Sequence, residues 1–271
     1  MVDHNPLQCK KLFLFDLDGT LYLGNRLFPG VRELLSAIRA RGGQSRFLTN
    51  TSSRSVAAYV KKLTRLGVAT EAADFLTSVD ALIHYLREHG GEDRRYYVCG
   101  TESMKSQLRA AGFTVAERRE DANALLMGFD TELTFQKLED ACILLNRGAD
   151  YLATNPDWVC PMPAGEVLPD CGSICALLTA ASGVKPTYIG KPNRNMVDVI
   201  SAQTGVPNEQ ICCVGDRLYT DIAVAVNAGA QSVLVLSGET DEAMLEASDV
   251  QPKYVLRDVA ELAQILRDGT V

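Results

Sequence analysis

The sequence predicts an α/β fold in which an open parallel sheet forms a core and a second α/β domain is inserted into that core. Short apolar runs typical of buried strands alternate with amphipathic helical stretches along the chain. Four of these runs end in polar clusters, as expected where parallel strands present their carboxyl ends at one edge of a sheet. The alternation restarts after Thr77, and we interpret the restarted part as an inserted domain.

The N-terminal part of the core is predicted from four segments. The apolar runs Leu12–Phe15 and Ser45–Leu48 are short and end in polar residues, as buried strands do. The stretches Val31–Arg41 and Arg54–Leu66 carry apolar residues at helical spacing. This alternation of strands and helices is typical of a parallel sheet.

The inserted domain is predicted to begin at Ser78, a candidate N-cap for a helix. Strands are expected near Tyr96–Cys99 and Ala124–Met127. The stretch Phe135–Leu145 has apolar residues on one stripe and predicts a helix. The insertion is expected to end near Ser182–Pro186.

The chain is then predicted to return to the core. The remaining core elements are a strand at Tyr188–Ile189, a helix over Met196–Gln203, a strand at Ile211–Val214, a helix near Thr220–Ala228, a strand at Ser232–Leu236 and a helix near Val259–Leu266. The sequence therefore predicts a core of residues 1–77 and 185–271, with residues 78–184 as the inserted domain.

The first polar cluster contains two carboxylates, Asp16 and Asp18, followed by a Gly-Thr turn. In extended backbone, residues two apart point to the same side, so both carboxylates can face one cavity. A divalent cation would offset their repulsion there. The motif alone is also compatible with an ordinary turn after a strand.

The second cluster, Thr49, Asn50 and Thr51, precedes a predicted helix start near Ser53. Helix N-termini present unsatisfied N–H donors, so this cluster is a candidate anion site. A plain helix cap is the alternative interpretation.

The third and fourth clusters contribute a lysine and two more carboxylates. Lys191 stands between Gly190 and Pro192, which restrict the local backbone and orient the lysine side chain. Asp216 and Asp221 follow another apolar run. Each residue has an ordinary alternative role, as a surface lysine, a turn residue or a helix-start residue. Four polar clusters after four apolar runs favour a shared site.

Taken in order, the four clusters resemble the motifs of the haloacid dehalogenase superfamily of phosphotransferases. The motifs are Asp-x-Asp-Gly-Thr from Asp16, Thr49-Asn50, Gly190-Lys191-Pro192, and Gly-Asp-Arg-Leu-x-Thr-Asp from Gly215. Together with Ala-Thr-Asn-Pro-Asp at residues 153–157, they are similar to the NagD-like branch, subfamily IIA, which has a C2-type cap. The resemblance runs from about Leu12 to the C-terminus. It implies a Rossmann-like parallel sheet core with an inserted α/β cap.

The resemblance implies Mg²⁺-dependent hydrolysis of small phosphomonoesters, such as sugar phosphates, nucleotides or p-nitrophenyl phosphate. Asp16 would be the nucleophile that forms a phosphoaspartate, and Asp18 would be the general acid and base. The implied Mg²⁺ ligands are Asp16, the backbone carbonyl of Asp18 and Asp216, with Asp221 in or near this set. The implied phosphoryl ligands are Lys191 and Thr49, with Asn50 and Thr51 as further donors.

Substrate choice is expected to depend on a cap loop at residues 155–160. Trp158, the only tryptophan, is a candidate wall for a substrate ring or sugar, with a role in a core or an interface as the alternative. Some members of the superfamily place a histidine where this chain has Cys160. Both residues are therefore candidate substrate contacts.

The composition of the chain indicates what kind of partner it binds and in which compartment it is expected. The chain has 271 residues, 46% of them hydrophobic, and a net charge of −7, which argues against nucleic acid. Its eight cysteines lack zinc-type spacing and indicate reduced thiols in the cytoplasm. We expect no signal peptide and no membrane span. The expected partner is a small phosphorylated metabolite, and a homodimer is one assembly that we consider.

Two other functions stay open from the sequence. A phosphotransferase or phosphomutase would use the same aspartyl-phosphate chemistry but pass the phosphoryl group to a second hydroxyl. A non-catalytic sensor of phosphorylated ligands would bind without turnover. The presence of Asp18 and Asp216 argues against the sensor.

Overall fold

Two parallel sheets organise the chain in the computed structural model, which describes residues 6–162 and 165–268. The strands are β1 (Leu12–Phe15), β2 (Tyr22–Leu23), β3 (Arg26–Leu27), β4 (Gln44–Thr49), β5 (Phe75–Thr77), β6 (Arg95–Cys99), β7 (Thr114–Ala116), β8 (Ala124–Met127), β9 (Asp150–Ala153), β10 (Val159–Pro161), β11 (Val167–Pro169), β12 (Thr187–Tyr188), β13 (Ile211–Gly215), β14 (Gln231–Val235) and β15 (Tyr254–Leu256).

The helices alternate with these strands along the chain, and the last helix follows β15. They are α1 (Val31–Ala40), α2 (Val56–Arg65), α3 (Ser78–Glu88), α4 (Glu102–Ala110), α5 (Phe135–Asn146), α6 (Cys171–Ser182), α7 (Asn195–Thr204), α8 (Ala223–Ala228), α9 (Glu242–Glu246) and α10 (Val259–Asp268). A π-helical turn at Leu218–Ile222 leads directly into α8.

The first sheet has six parallel strands in the order β15-β14-β13-β1-β4-β5. The second has five parallel strands in the order β12-β9-β8-β6-β7. Two short antiparallel pairs, β2–β3 and β10–β11, complete the strand pairing of the described residues. The predicted α/β class with parallel sheets is confirmed.

The central strand β1 is apolar throughout because both of its faces are covered. Phe13 and Phe15 point to the layer that contains α1 and α10, whereas Leu12 and Leu14 point to the opposite layer. That opposite layer continues without a break into the second sheet, where it includes Tyr96 and Leu126. The two sheets are therefore joined by a shared hydrophobic core, not by linkers alone.

The strand predicted at Tyr188–Ile189 does not belong to the first sheet, and that part of the prediction is wrong. The observed strand, β12, pairs with β9 of the second sheet, with Thr187 opposite Leu152 and Tyr188 opposite Ala153. A run this short carries no pattern that identifies its partner. The division at residues 77/78 and 184/185 stays a proposal, and the sheet pairing extends the second unit to Tyr188.

The predicted helix start is also shifted by one residue. Thr77, not Ser78, is the N-cap of α3, because its Oγ1 accepts a hydrogen bond from the Asp80 N–H at 3.2 Å. The Asp80 carboxylate accepts from the Thr77 N–H in return, which completes a capping box. Ser78 instead donates to the carbonyl oxygen of Asn50 at 2.6 Å. This bond ties the start of α3 to the loop after β4.

Candidate active site

The predicted polar residues meet at the carboxyl edge of the first sheet. Asp16 follows β1, Thr49 ends β4 and Asp216 follows β13. The Asp16 N–H donates to the Val214 carbonyl at 2.9 Å, which continues the pairing of β1 with β13. Parallel strands present such residues at one edge, so residues far apart in sequence come together. A narrow cleft at this edge is lined by Asp16, Asp18, Thr49, Asn50, Thr51, Lys191 and Thr220, together with Asp157, Cys160, Pro161, Asp170 and Arg217.

Lys191 is the more deeply buried of the two cations that line this cleft, with 2% of its surface exposed, and the other is Arg217. Its Nζ donates to Asp16 Oδ1 and to Asp221 Oδ1, each at 2.6 Å, and to the Leu48 carbonyl at 3.1 Å. Burial alone would favour the neutral amine, but the two carboxylates outweigh it and raise the pKa of Lys191. The lysine is therefore a fixed positive charge beside Asp16.

Asp16, Asp216 and Asp221 form a cluster of carboxylates whose oxygens lie within 4.8 Å of one another. Burial raises the pKa of Asp16 well above its ordinary value despite the attraction of Lys191. Burial also raises the pKa of Asp216 to about 7, with repulsion from Asp221 adding to the shift. One lysine cannot neutralise three carboxylates, so the cluster retains negative charge when ionised.

The backbone at Gly19 packs closely against the Asp216 carboxylate. A Cβ at Gly19 would lie 2.4 Å from Asp216 Oδ2, and Gly19 also has a φ of 92°. Asp216 accepts hydrogen bonds from Thr20 Oγ1 at 3.0 Å and from the Glu239 N–H at 2.8 Å. Clustered carboxylate oxygens with excess negative charge are the donor set that Mg²⁺ prefers. The residues present therefore fit a divalent cation.

Asp18 lines the same cleft as Asp16 but has different partners. Its Oδ2 accepts a hydrogen bond from the Tyr22 hydroxyl at 3.1 Å, and its Oδ1 lies 3.7 Å from Lys62 Nζ. The two carboxylates therefore have different surroundings. Asp16 contacts the buried Lys191, whereas Asp18 lies near Lys62 of α2. Different environments are what a nucleophile and a proton donor require.

Asn50 holds Lys191 in place. Its side-chain oxygen accepts from the Lys191 N–H at 2.9 Å, and its Nδ2 donates to the Lys191 carbonyl and to Asp157 Oδ1, each at 3.1 Å. Both amide hydrogens are engaged, so the side chain is not free to donate to a phosphoryl group. Thr49 and Thr51 line the cleft, and the Thr51 N–H donates to Thr49 Oγ1 at 3.2 Å.

A cap-side ion pair network went unrecognised in the sequence. Arg217 Nη1 lies 3.0 Å from Asp157 Oδ2, its Nε lies 2.8 Å from Glu239 Oε2, and its Nη2 donates to the Val159 carbonyl at 3.1 Å. Arg217 follows β13 of the first sheet, whereas Asp157 follows β9 of the second. The pair therefore connects the two units at the cleft. The sequence indicates this pair only in that Arg217 lies in the motif from Gly215 and Asp157 lies in the motif at residues 153–157.

The two predicted cap contacts have different positions. Cys160 lines the cleft at β10, as expected for a residue near the substrate. Trp158 is 56% exposed and is not among the described residues that line the cleft. The interpretation of Trp158 as a substrate wall therefore lacks support from the geometry. Trp158 lies just before β10, outside the strand that carries Cys160.

Asp170 is a buried carboxyl group in the cleft that the sequence analysis did not single out. Burial, followed by repulsion from Asp157, raises its pKa to about 7. The folded protein therefore keeps a proton on Asp170 at a pH where the unfolded chain, with an ordinary pKa of 3.8, has lost it. Asp170 consequently lowers stability increasingly as pH rises from about 4 to 7.

Asp170→Asn is expected to remove this penalty while keeping the acceptor for the Cys171 N–H. The free energy of unfolding of the variant, relative to wild type, should rise by roughly 2 kcal/mol between pH 5 and pH 8. Urea unfolding curves at both pH values measure the difference. An identical difference at the two pH values would contradict the raised pKa of Asp170.

Comparisons with known proteins identify relatives of this chain. Residues 13–114 match a haloacid dehalogenase-like hydrolase family, and residues 188–262 match a second family of the same type. Phosphoglycolate phosphatase 1A of Arabidopsis thaliana is 32% identical over 272 residues, which cover 92% of this chain and 75% of that protein. Among the described residues, no helix is both long and apolar enough to cross a membrane.

Solved structures of similar proteins extend over almost the whole chain. The 4-nitrophenylphosphatase of Thermotoga maritima has a TM-score of 0.91 and 39% identity, covering 97% of this chain and 100% of that one. The glycerol phosphate phosphatase of Mycobacterium tuberculosis in complex with magnesium has a TM-score of 0.87 and 31% identity, covering 96% of this chain and 79% of that one. The chain belongs to the haloacid dehalogenase-like hydrolases and, within them, to the NagD-like phosphatases of subfamily IIA, and is thus a phosphoric monoester hydrolase.

Proposed function

We propose that the chain hydrolyses small phosphomonoesters in the presence of Mg²⁺ through a phosphoaspartate at Asp16. The observation that carries this proposal is the contact of Asp16 with Lys191 in a cleft that also contains Asp18. The relatives named for phosphoglycolate, 4-nitrophenyl phosphate and glycerol phosphate support small phosphomonoesters as the substrate class.

In the first step, a carboxylate oxygen of Asp16 forms a bond to phosphorus while the ester bond to the leaving oxygen breaks. Lys191 offsets the negative charge of the phosphoryl oxygens, and Asn50 keeps Lys191 in position through its two backbone contacts. Thr49 and the N–H groups near Thr51 are proposed as further phosphoryl donors. The Asn50 side chain is proposed as a positioning group, and any donation by Asn50 is assigned to its backbone N–H.

Asp18 is proposed to give a proton to the leaving oxygen as the ester bond breaks. In the second step it takes a proton from the water that attacks the phosphoaspartate, which releases phosphate and restores Asp16. The Tyr22 hydroxyl, 3.1 Å from Asp18 Oδ2, orients this carboxyl group. The separate contacts of Asp16 and Asp18 support the division of roles between them.

A divalent cation, proposed to be Mg²⁺, would be held by Asp16, Asp216 and the backbone carbonyl of Asp18, with Asp221 next to them. When bound, such a cation offsets the negative charge that the carboxylates and the phosphoryl group bring together. Asp221 also contacts Lys191 and accepts from the Arg217 N–H at 3.1 Å. We propose that its main role is to orient Lys191.

Substrate choice is proposed to involve the cap, residues 78–184, through Cys160 and its neighbours in the cleft. A cytoplasmic location and a homodimer stay predictions. The first experiment is a phosphate-release assay with Mg²⁺ over phosphoglycolate, glycerol phosphate, a hexose phosphate, a nucleoside monophosphate and p-nitrophenyl phosphate. Release to water without an added acceptor would support a phosphatase over a phosphomutase. Binding of these esters without any release would favour the sensor.

Asp18→Asn is expected to slow hydrolysis of alkyl phosphates by about 10²- to 10⁴-fold, because their leaving oxygens need a proton. The loss in the first step should be much smaller for p-nitrophenyl phosphate, whose leaving group is a stable anion. A burst of p-nitrophenol before steady state measures that first step. Equal losses of the first step for both kinds of ester would contradict the role of Asp18 as the acid.

A further inference from the structure

A second cleft opens beside the narrow cleft that contains Asp16 and Lys191, which we call the phosphoryl cleft. It has a volume of about 250 Å³, and we call it the outer cleft. Among the residues that line it are Asp18, Thr51, Arg54, Tyr59, Lys62 and Cys160. Asp18, Thr51 and Cys160 line both clefts, so the two are directly adjacent. Because Asp18 is the proposed donor to the leaving oxygen, the outer cleft lies on the side of the leaving group.

Lys62 is the most constrained cation of the outer cleft. Its side chain is only 13% exposed, and its Nζ lies 3.6 Å from the centre of the Tyr22 ring. The contact with Asp18 Oδ1 is 3.7 Å, which is longer than a hydrogen bond. In the part of the chain that the structure describes, Asp18 is the only carboxylate within ion-pair distance of Lys62. The ammonium group therefore retains donors that a ligand can use.

Arg54 adds a second cation on the same cleft, two residues before α2 begins. It has no ion-pair partner among residues 6–162 and 165–268. The outer cleft thus has two cations and one carboxylate, whereas the phosphoryl cleft holds the cluster of aspartates. The surplus positive charge lies where the leaving group, not the phosphoryl group, would be.

We propose that the outer cleft binds a second anionic group of the substrate, with Lys62 and Arg54 as the residues that determine this specificity. The inference rests on the proposed phosphatase function and names its preferred substrates: small phosphomonoesters with a carboxylate or a second phosphate on the leaving group. A volume of about 250 Å³ lies below the roughly 300–1,000 Å³ of drug-sized sites, which favours a leaving group of a few carbon atoms.

The test compares esters of two carbon atoms each that differ in charge. The substrates are phosphoglycolate, ethylene glycol bisphosphate and the neutral 2-hydroxyethyl phosphate, with p-nitrophenyl phosphate as the reference. We expect wild-type kcat/KM to favour the anionic esters over the neutral one by at least about tenfold, the scale of a charge-assisted hydrogen bond. The two anionic esters separate a preference for carboxylate from one for phosphate.

Lys62→Met keeps the apolar stem against Tyr22 but removes the charge. It should lower the preference for anionic esters by about tenfold, and Lys62→Arg should restore most of it. Lys61→Met is the matched control, because Lys61 is the exposed neighbour on α2 and does not line the outer cleft. It should leave the preference unchanged. Melting curves establish that each variant is folded.

Two results would overturn the inference. One is a wild-type enzyme with no preference for the anionic esters. The other is an equal loss by Lys62→Met on the anionic and neutral esters, which would mean that Lys62 serves only Asp18. Calorimetric binding of the same esters to Asp16→Asn protein with Mg²⁺ tests the preference without turnover. Selective binding by a protein that hydrolyses none of the four esters would refute the proposed function but support the outer cleft.

Discussion

Asp16→Asn is expected to lower turnover of every phosphomonoester by about four to six orders of magnitude, the scale seen when a nucleophile is removed. An amide oxygen cannot form the acyl phosphate under these conditions, so the first chemical step has no alternative route. The geometry makes the substitution a mild one for the fold. Lys191 keeps its contact with Asp221 and with the Leu48 carbonyl.

The loss should therefore occur in a protein of wild-type stability. Removing a buried carboxylate whose pKa is raised by burial takes away a repulsive charge from the cluster with Asp216 and Asp221. Asp198→Asn is a matched control, because Asp198 is paired with Arg194 on α7 and lies outside the cleft. Phosphate-release rates and melting curves for both variants measure the effect. Turnover by Asp16→Asn at a rate near that of wild type would rule out Asp16 as the nucleophile.

The sequence predicted the features of the site that depend on a single short segment, such as the end of a strand. The bounds of β1 were predicted correctly because an apolar run that ends in Asp16 marks both the strand and its end. Asp16, Thr49 and Asp216 come together because each lies at the end of a strand of the first sheet, and parallel strands share one carboxyl edge. Lys191 enters the same cleft from the segment after β12, a strand of the second sheet. The roles of these residues remain proposals, whereas their proximity is a property of the fold.

Tertiary contacts determine the parts that the sequence did not predict. Thr187–Tyr188 joins the second sheet because β9 offers it a free edge, and nothing in two residues encodes that choice. The side-chain amide of Asn50 is engaged by Lys191 and Asp157, which lie more than 100 positions away along the chain, and the sequence did not predict these contacts. Donation by Asn50 to a substrate stays a prediction.

The position of Lys62 in the outer cleft is another feature that the sequence alone did not predict. In the sequence, Lys61 and Lys62 are indistinguishable neighbours in an amphipathic helix. The helix turns by about 100° per residue, so one lysine points to solvent while the other points to Asp18. The position of α2 relative to Asp18 and Tyr22 decides which lysine lines the outer cleft.

Removal of divalent metal is expected to abolish hydrolysis of all substrates, and added Mg²⁺ should restore it. Asp16, Asp216 and Asp221 have oxygens within 4.8 Å of one another. Among the described residues, Lys191 is the only cation paired with this cluster, and it contacts Asp16 and Asp221. A dianionic phosphoryl group cannot approach this cluster at low cost without a further positive charge. Dialysis against chelator followed by an activity titration with Mg²⁺ measures the requirement.

Binding can be followed independently of activity. Because Mg²⁺ would bind only the folded cluster, a concentration of 100 times its Kd should stabilise the protein by about 2.7 kcal/mol, seen as a higher Tm. Asp216→Asn should lose most of this shift, whereas Asp198→Asn should keep it. Calcium should also raise Tm but support much less turnover, because its larger and more flexible coordination sphere disturbs the in-line geometry of transfer. Full activity in excess chelator would refute the metal requirement, even if Mg²⁺ still raised Tm.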